Sequence, residues 1–291
     1  MKKRVLTAAL GDPETLAALV AARLSLPLAE AAALAARGAV HLDGKRCLDG
    51  GAPVTAGARI LVFVDHPMAS TSLSVVYRDD YLLIVDKPAG VASQATKSDS
   101  ESSLDALVRA IAPESRLLHR LDRDASGLVL FAASKAANAP LQAALTDGEI
   151  DRRYLAVVAG RLAPVGEAGR ITLRIGRHPH DTRLRAALPE ASPAGEPAAS
   201  RWRVVGHGDG VTGLELTLET GRTHQLRIHL AAIGHPIVGD RAYGGLPAER
   251  LCLHAFRLAL PHPTRRREVV ALSPAPAALA SRVSALTTPG P

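Results

Sequence analysis

The sequence predicts an α+β protein. Strand and helix patterns mix along the chain without the regular βαβ rhythm of a doubly wound sheet. Leu214, Leu216 and Leu218 alternate with Glu215, Thr217 and Glu219, the period of two that marks a half-buried strand. Apolar runs of strand length, such as Leu82–Val85 and Leu128–Ala132, lie beside turn-forming residues. With 291 residues, 47% hydrophobic and 22% charged, the chain suits one large domain or two unequal ones and excludes wholesale disorder. Aromatic residues make up only 3%, so alanine and aliphatic side chains fill the core, and a sheet studded with base-stacking rings is excluded.

Taken in order, the N-terminal Met1-Lys2-Lys3-Arg4 and the apolar Val5–Leu10 have the outline of an export signal. The apolar stretch ends at Gly11-Asp12-Pro13-Glu14, too soon for one. Arg23, Glu30 and Arg37 interrupt the longest candidate membrane span, so none is expected. Leu16, Leu19, Val20 and Leu24 give helical spacing over Glu14–Leu24, and a second helix runs from Leu28 to Arg37, where Gly38 stops it. Val40-His41-Leu42 leads into Asp43-Gly44, a hairpin signal, and Arg59–Val64 reads as a closing strand. Residues 1–65 therefore form a small α/β module, 66–72 a linker rich in small polar residues, and 73–291 a larger domain.

In the larger domain the apolar Leu82–Val85 strand gives way to a turn shaped by Asp86-Lys87-Pro88-Ala89-Gly90. Ser93–Ser103 is serine-rich and reads as mobile. Leu128–Ala132, Tyr154–Val158 and Ile171–Ile175 read as strands, Pro140 suits the first turn of a helix over Leu141–Leu145, and the Ala/Pro-rich Ala187–Ala199 reads as a loop.

Two polar clusters stand out. His119-Arg120-Leu121-Asp122-Arg123-Asp124-Ala125-Ser126-Gly127 lies just before an apolar strand. If extended, it turns Arg120, Asp122 and Asp124 one way and Leu121 and Arg123 the other. A carboxylate among guanidinium groups stays ionised, fit to be a nucleophile, a general base or a salt-bridge partner. The second cluster, Thr220-Gly221-Arg222-Thr223-His224-Gln225-Leu226-Arg227-Ile228-His229-Leu230, is followed by Gly234-His235-Pro236-Ile237-Val238-Gly239-Asp240. Its histidines match no zinc-ligand spacing, so no metal is expected. Ser126 lacks the G-x-S-x-G elbow of serine hydrolases, and no Walker or dinucleotide glycine loop is present. Cys47 and Cys252 are too few for a disulfide framework or a four-cysteine zinc site and point to a reducing, cytoplasmic setting. The formal net charge of +7 suits a polyanionic partner, because Lys and Arg displace counterions from phosphates.

Five strings, in this order, carry a resemblance: Asp86–Gly90, the H-R-L-D-R-D-A-S-G-L run at 119–128, Arg153-Tyr154-Leu155-Ala156, Ile175-Gly176-Arg177-His178-Pro179, and G-R-T-H-Q-L-R-I-H-L-A-A-I-G-H-P-I-V-G-D at 221–240. Together they resemble the RluA-type pseudouridine synthases over about Leu73–Pro274. The resemblance implies a catalytic domain with a long, mostly antiparallel sheet around a central cleft. It also implies isomerisation of uridine to pseudouridine in RNA, without metal or cofactor, by a monomer. By the same resemblance Asp122 attacks or deprotonates the sugar, Arg227 pairs with Asp122, and Tyr154 stacks on the uracil. Arg120 then fills the gap that the flipped base leaves, and Arg123, His224 and Gln225 support the site or contact the RNA backbone. Ala125 stands in place of the family's usual threonine, Ser200 replaces another, and the His-Pro that often follows the first glycine turn is absent near Val91.

The N-terminal module resembles the alpha-L RNA-binding motif through Gly38-x-Val40-x-x-Asp43-Gly44-Lys45. Pro27 and Leu28 replace that family's serine and basic residue, which removes a phosphate contact, and Ala58 replaces an aspartate. Lys45, Arg46 and the Arg265-Arg266-Arg267 run are the candidate phosphate contacts of the whole chain, and large-subunit ribosomal RNA is the expected substrate ahead of transfer RNA. Two other readings compete: a non-catalytic RNA-binding or ribosome-assembly factor, and a hydrolase using Asp122 with Asp124. The second fails because side chains two apart on a strand sit side by side and do not flank a bond.

Overall fold

A computed structural model describes residues 2–36, 38–64, 73–95, 103–181 and 184–286. Packing divides the chain into two units, Met1–Ser72 with Ala95–Ser103, and Leu73–Gln94 with Leu104–Pro291. The expected linker at 66–72 and residues 96–102 of the serine-rich stretch lie outside the described residues.

The first unit runs β1 (Lys2–Thr7), α1 (Leu16–Leu24), α2 (Leu28–Ala36), β2 (Val40–Leu42), β3 (Lys45–Arg46) and β4 (Arg59–Val64). Its sheet has the order β1-β4-β2-β3, antiparallel throughout. Leu16, Leu19 and Val20 of α1 and Leu34 of α2 pack on Val40, Ile60 and Val62, so the helical spacing read from the sequence is the buried face. The β2–β3 hairpin turns on Asp43 and Gly44 alone, both at positive φ, as a two-residue turn matched to strand twist requires. β1 is an element that the sequence reading did not assign. The stretch considered as an export signal is an edge strand paired along its length with β4.

The second unit adds β5 (Ser74–Arg78), β6 (Leu82–Lys87), α3 (Leu104–Ile111), β7 (Arg116–Leu117), β8 (Ser126–Ala132), α4 (Lys135–Thr146), β9 (Asp151–Ala159), β10 (Ala168–Arg177), β11 (Arg185–Leu188), β12 (Glu196–Gly208), β13 (Val211–Leu218), α5 (Gln225–Ala232), β14 (Leu253–Pro261), β15 (Glu268–Leu272) and α6 (Ala277–Ala280). The strands make one sheet ordered β11-β10-β12-β13-β9-β14-β8-β6-β5, with β15 on β14 and β7 on β8. Its central strands are buried on both faces. Leu83 and Val85 of β6 join a core that includes Leu104 and Val108 of α3, while Leu82 and Ile84 join Ala137, Leu141 and Ala144 of α4. That is why these strands read as unbroken apolar runs instead of alternating ones.

The pairing is antiparallel except between β14 and β8, where His254 faces Ser126 and Ala255 faces Gly127. Gly127 has φ +113°, and a Cβ there would lie 2.2 Å from the Ala255 carbonyl oxygen, so only glycine lets the two strands close. Beside it runs a buried polar seam. Arg250 Nη2 donates to Ser126 Oγ (2.6 Å), which leaves the hydroxyl proton for His254 Nδ1 (2.8 Å) and sets His254 Nε2–H toward the Ser273 carbonyl (3.3 Å).

Two further readings are corrected. Pro140 lies inside α4, not in its first turn; the carbonyl it leaves unbonded is that of Ala136, which is exposed to water. Ala187–Ala199 is not all loop, because β11 and β12 enter it from either end and pair with β10.

Candidate active site

The site is built where the 118–125 loop, β9 and the start of α5 meet. The loop is not the extended segment expected. It closes in a turn, with Ala125 N–H donating to the Asp122 carbonyl (3.2 Å), so Leu121 is buried, Asp122 is recessed, and Arg120, Arg123 and Asp124 face outward. Two anchors hold it. Ser93 Oγ donates to the Leu121 carbonyl (2.7 Å) and accepts from Leu121 N–H (2.9 Å), so this serine is buried and bonded. Lys87, fully buried, donates from Nζ to the carbonyls of Val91 (2.8 Å), Pro88 (3.0 Å) and Arg123 (3.0 Å). Burial pushes Lys87 down to about 7, and the charges of Asp122 and Asp124 work the other way. The Asp86–Gly90 string thus tethers the loop that carries Asp122.

Arg227 of α5 is brought to Asp122, with Nη1 donating to Oδ2 at 3.2 Å. Its stronger bonds go elsewhere. Nε and Nη2 fork onto both oxygens of Asp240 at 2.7 and 2.8 Å, and Asp240, fully buried, also accepts from Ala242 N–H and Tyr243 N–H. Burial disfavours the guanidinium's charge, but the Asp240 and Asp122 carboxylates more than offset this and raise its pKa. Asp240 therefore holds the cation and Asp122, with its side chain 21% exposed, is the carboxylate open to a substrate. Sequence reasoning quoted Asp240 without giving it a role. The available signal was a carboxylate next to a glycine in an apolar stretch.

Tyr154 lies on β9, nearly buried, and burial raises its hydroxyl pKa, with the Asp122 charge adding to the rise. His224, at positive φ just before α5, has Nε2 3.9 Å from Asp122 Oδ1 and Nδ1 2.9 Å from the Tyr243 hydroxyl. Burial pushes His224 below its ordinary value. The Tyr243 ring carries the Arg227 guanidinium at 5.0 Å, a second support that the sequence did not disclose.

The remaining candidates divide. Gln225 is buried and fully used, accepting from Thr220 Oγ1 and Arg222 N–H and donating to the Ala199 carbonyl and Ser200 Oγ. It staples the loop ahead of α5 and has no free donor for an RNA backbone, which corrects that part of its expected role. Arg120 and Arg123 lie on the outward side of the Asp122 loop. Lys45 and Arg46 are exposed on β3 of the first unit, and Arg265, Arg266 and Arg267 are exposed on the turn between β14 and β15. The other histidines of the second cluster go separate ways. His235 Nδ1 bonds the Ala159 carbonyl, while His229 has neither ring nitrogen bonded among the described residues.

That burial predicts an acid sensitivity. Burial pushes His229 to about 4 and His119 to about 3, so below pH 6.5 the unfolded chain takes protons that the folded chain refuses. Stability present above 6.5 is lost as pH falls. Each histidine is expected to cost about 2 kcal/mol between pH 6.5 and 5. Urea titrations at pH 7 and 5 check this, and His229→Leu, which forfeits no hydrogen bond, should flatten the difference by its share.

The model of the RNA pseudouridylate synthase family matches residues 81–232, a span that holds Asp122, Tyr154 and Arg227. The chain belongs to this family. Among its relatives, the uncharacterized RNA pseudouridine synthase YhcT of Bacillus subtilis (strain 168) is 35% identical over 241 residues, covering 77% of this chain and 78% of the relative. Ribosomal large subunit pseudouridine synthase D of Xylella fastidiosa (strain Temecula1 / ATCC 700964) is 35% identical over 236 residues, covering 74% and 69%. The structure of human RNA Pseudouridylate Synthase Domain Containing 1 aligns at a TM-score of 0.62 and 30% identity, over 75% of this chain and 91% of that one. The synthase forms pseudouridine in RNA, and its fold is the α+β arrangement with a large, mostly antiparallel sheet that the sequence predicted. No helix among the described residues is long and apolar enough to cross a membrane.

Proposed function

We propose that this synthase modifies large-subunit ribosomal RNA, as a cytoplasmic monomer, with Asp122 as the group that acts on the ribose. The observation that carries the assignment is the division of labour around Arg227: one carboxylate, Asp240, is buried and holds the cation, and the other, Asp122, is left partly open beside Tyr154. Pseudouridylation breaks the bond between uracil N1 and ribose C1′, turns the base, joins C5 to C1′, loses the C5 proton to solvent and takes one up at N1. Atoms balance and no electrons leave, so an ionised carboxylate and a base-binding surface suffice. Asp122 attacks C1′ or removes a ribose proton, Arg227 keeps its charge in place, and Tyr154 stacks on the uracil.

The base must first leave its stack, which costs a few kcal/mol, and Arg120, outward-facing on the same loop, fills the vacated gap. The ribosomal substrate is carried over from the relatives named for it. The first unit, with exposed Lys45 and Arg46 beside its hairpin, acts as an accessory RNA-binding module. Mapping pseudouridines by carbodiimide-stop sequencing in a deletion strain tests the reading: one or more large-subunit sites should vanish and return with the wild-type gene. Loss confined to transfer RNA would refute the ribosomal assignment. Affinity for the transcript should fall steeply with salt, by about 0.7 to 0.9 log units per phosphate contacted for each tenfold rise. Neutralising Arg265, Arg266 and Arg267 together should make the slope shallower; an unchanged slope excludes the run as a contact.

A further inference from the structure

Arg152 is a cation at the site that the reaction described above does not use. It lies on β9 two residues before Tyr154, so strand alternation turns both side chains to one face, about 7 Å apart along the strand. Arg153, between them, points the other way and is neutralised by Asp151 and Glu215. On that reverse face Arg170 and Arg201 share Glu219, Arg203 meets Glu215, and Arg257 meets Asp151. Arg152 has no such partner. Among the described residues no carboxylate lies within ion-pair distance of it, and its Nε–H is buried without an acceptor.

The second cluster leaves room for it. A Cβ on Gly221, in the loop before α5, would lie 3.6 Å from Arg152 Nη1, so the guanidinium sits against backbone that carries no side chain at that point. Its charge reaches both neighbouring segments. It opposes the upward push of burial on Tyr154, and it adds to burial in driving His119, three residues before Asp122, down. A half-buried cation with an unmatched donor is costly unless an anion arrives. The anion that accompanies a uracil is the phosphate of its own strand, and the spacing between Arg152 and Tyr154 is about the reach from a base to that phosphate.

We propose that Arg152 is a phosphate-binding residue, receiving the RNA backbone beside the flipped uridine while Tyr154 takes the base. The proposal rests on the assignment of the reaction to the Asp122 site. Binding is ionic and needs no co-reactant: a guanidinium offers a planar fork to two phosphate oxygens. Lysine at the same place keeps the charge but not the fork.

The test uses the full chain and an unmodified large-subunit ribosomal RNA transcript labelled with tritium at uracil C5, in single turnover and in equilibrium binding. Arg152→Gln is expected to raise the half-saturating enzyme concentration about tenfold while the saturating rate stays within about threefold. It should also flatten the log–log salt dependence of binding by about 0.7. Arg152→Lys should recover most of the affinity, and Arg170→Gln, on the reverse face, should change neither quantity. An unchanged half-saturation and slope would overturn the proposal, leaving Arg152 a solvated side chain. So would a large loss of saturating rate at unchanged slope, which would mean a role toward the uracil. Failure of the wild type to release tritium counts against the assumed substrate, and the salt slope for binding still decides on Arg152 because it needs no turnover.

Discussion

Asp122→Asn is expected to abolish pseudouridine formation while leaving the protein folded and RNA affinity within about threefold, since affinity rests on phosphate contacts. The rate should fall by at least about a thousandfold, because the amide keeps the shape but not the nucleophilic or basic electron pair. The fold should tolerate it because Arg227 remains forked onto Asp240 through its two shorter bonds when the 3.2 Å bond to Asp122 weakens. Tritium release from C5-labelled RNA, run beside a thermal melt, reads both quantities. Turnover within tenfold of wild type would remove Asp122 from the chemistry.

Asp240→Asn should behave differently, losing stability as well as activity. Asp240 is fully buried against a buried guanidinium, and removing one partner of such a pair costs about 3 to 5 kcal/mol. Activity should drop about a hundredfold or more even though Asp240 is not the exposed carboxylate, because Arg227 is then free to turn toward Asp122 and tie it up. Arg227→Lys should share the defect in part, since an ammonium cannot satisfy both Asp240 oxygens and still reach Asp122. Replacing the pair together, Arg227→Met with Asp240→Leu, should restore stability without restoring turnover. Urea denaturation set against tritium release separates these outcomes, and a double variant that regained activity would show that neither residue serves the reaction.

Local pattern disclosed much of this architecture, and long-range geometry withheld the rest. The spacing of Leu16, Leu19 and Val20 predicted α1, and the run at Leu82–Val85 predicted β6, because periodicity and strand length are properties of the chain itself. The order of the strings singled out Asp122, Tyr154 and Arg227 as candidates; the structure sets Arg227 3.2 Å from Asp122 and puts Tyr154 within reach of the Asp122 charge. Asp240 was not, because its partnership with Arg227 depends on how the turn after α5 folds back. Arg152 and Arg153 are the same residue type side by side; only strand register assigns one to the site and the other to Asp151 and Glu215. Lys87 looked like part of a turn; two of the carbonyls that take its ammonium, Pro88 and Val91, are in that turn, and the third, Arg123, comes from the approach of a loop distant in sequence. β14 escaped notice because His254 and Arg257 interrupt its apolar pattern.

The insertion of β14 between β8 and β9 has a consequence for how the molecule comes into being. β8 and β9 follow each other along the chain, yet in the sheet they never touch; β14, more than a hundred residues after β8, joins them. Until it arrives, β8 is paired with β6 on one side and with β7 at its far end, while the other side of Ser126 and Gly127, next to the Asp122 loop, is an open edge that invites pairing with other chains. The chain entropy of closing so long a loop must be met before that contact forms, so this step belongs among the slow ones of folding. The two halves of the sheet are thus joined late, from a distant part of the sequence. An enzyme made this way gains its reactive geometry only after β14 has been made and the seam from Arg250 through Ser126 and His254 to Ser273 closes.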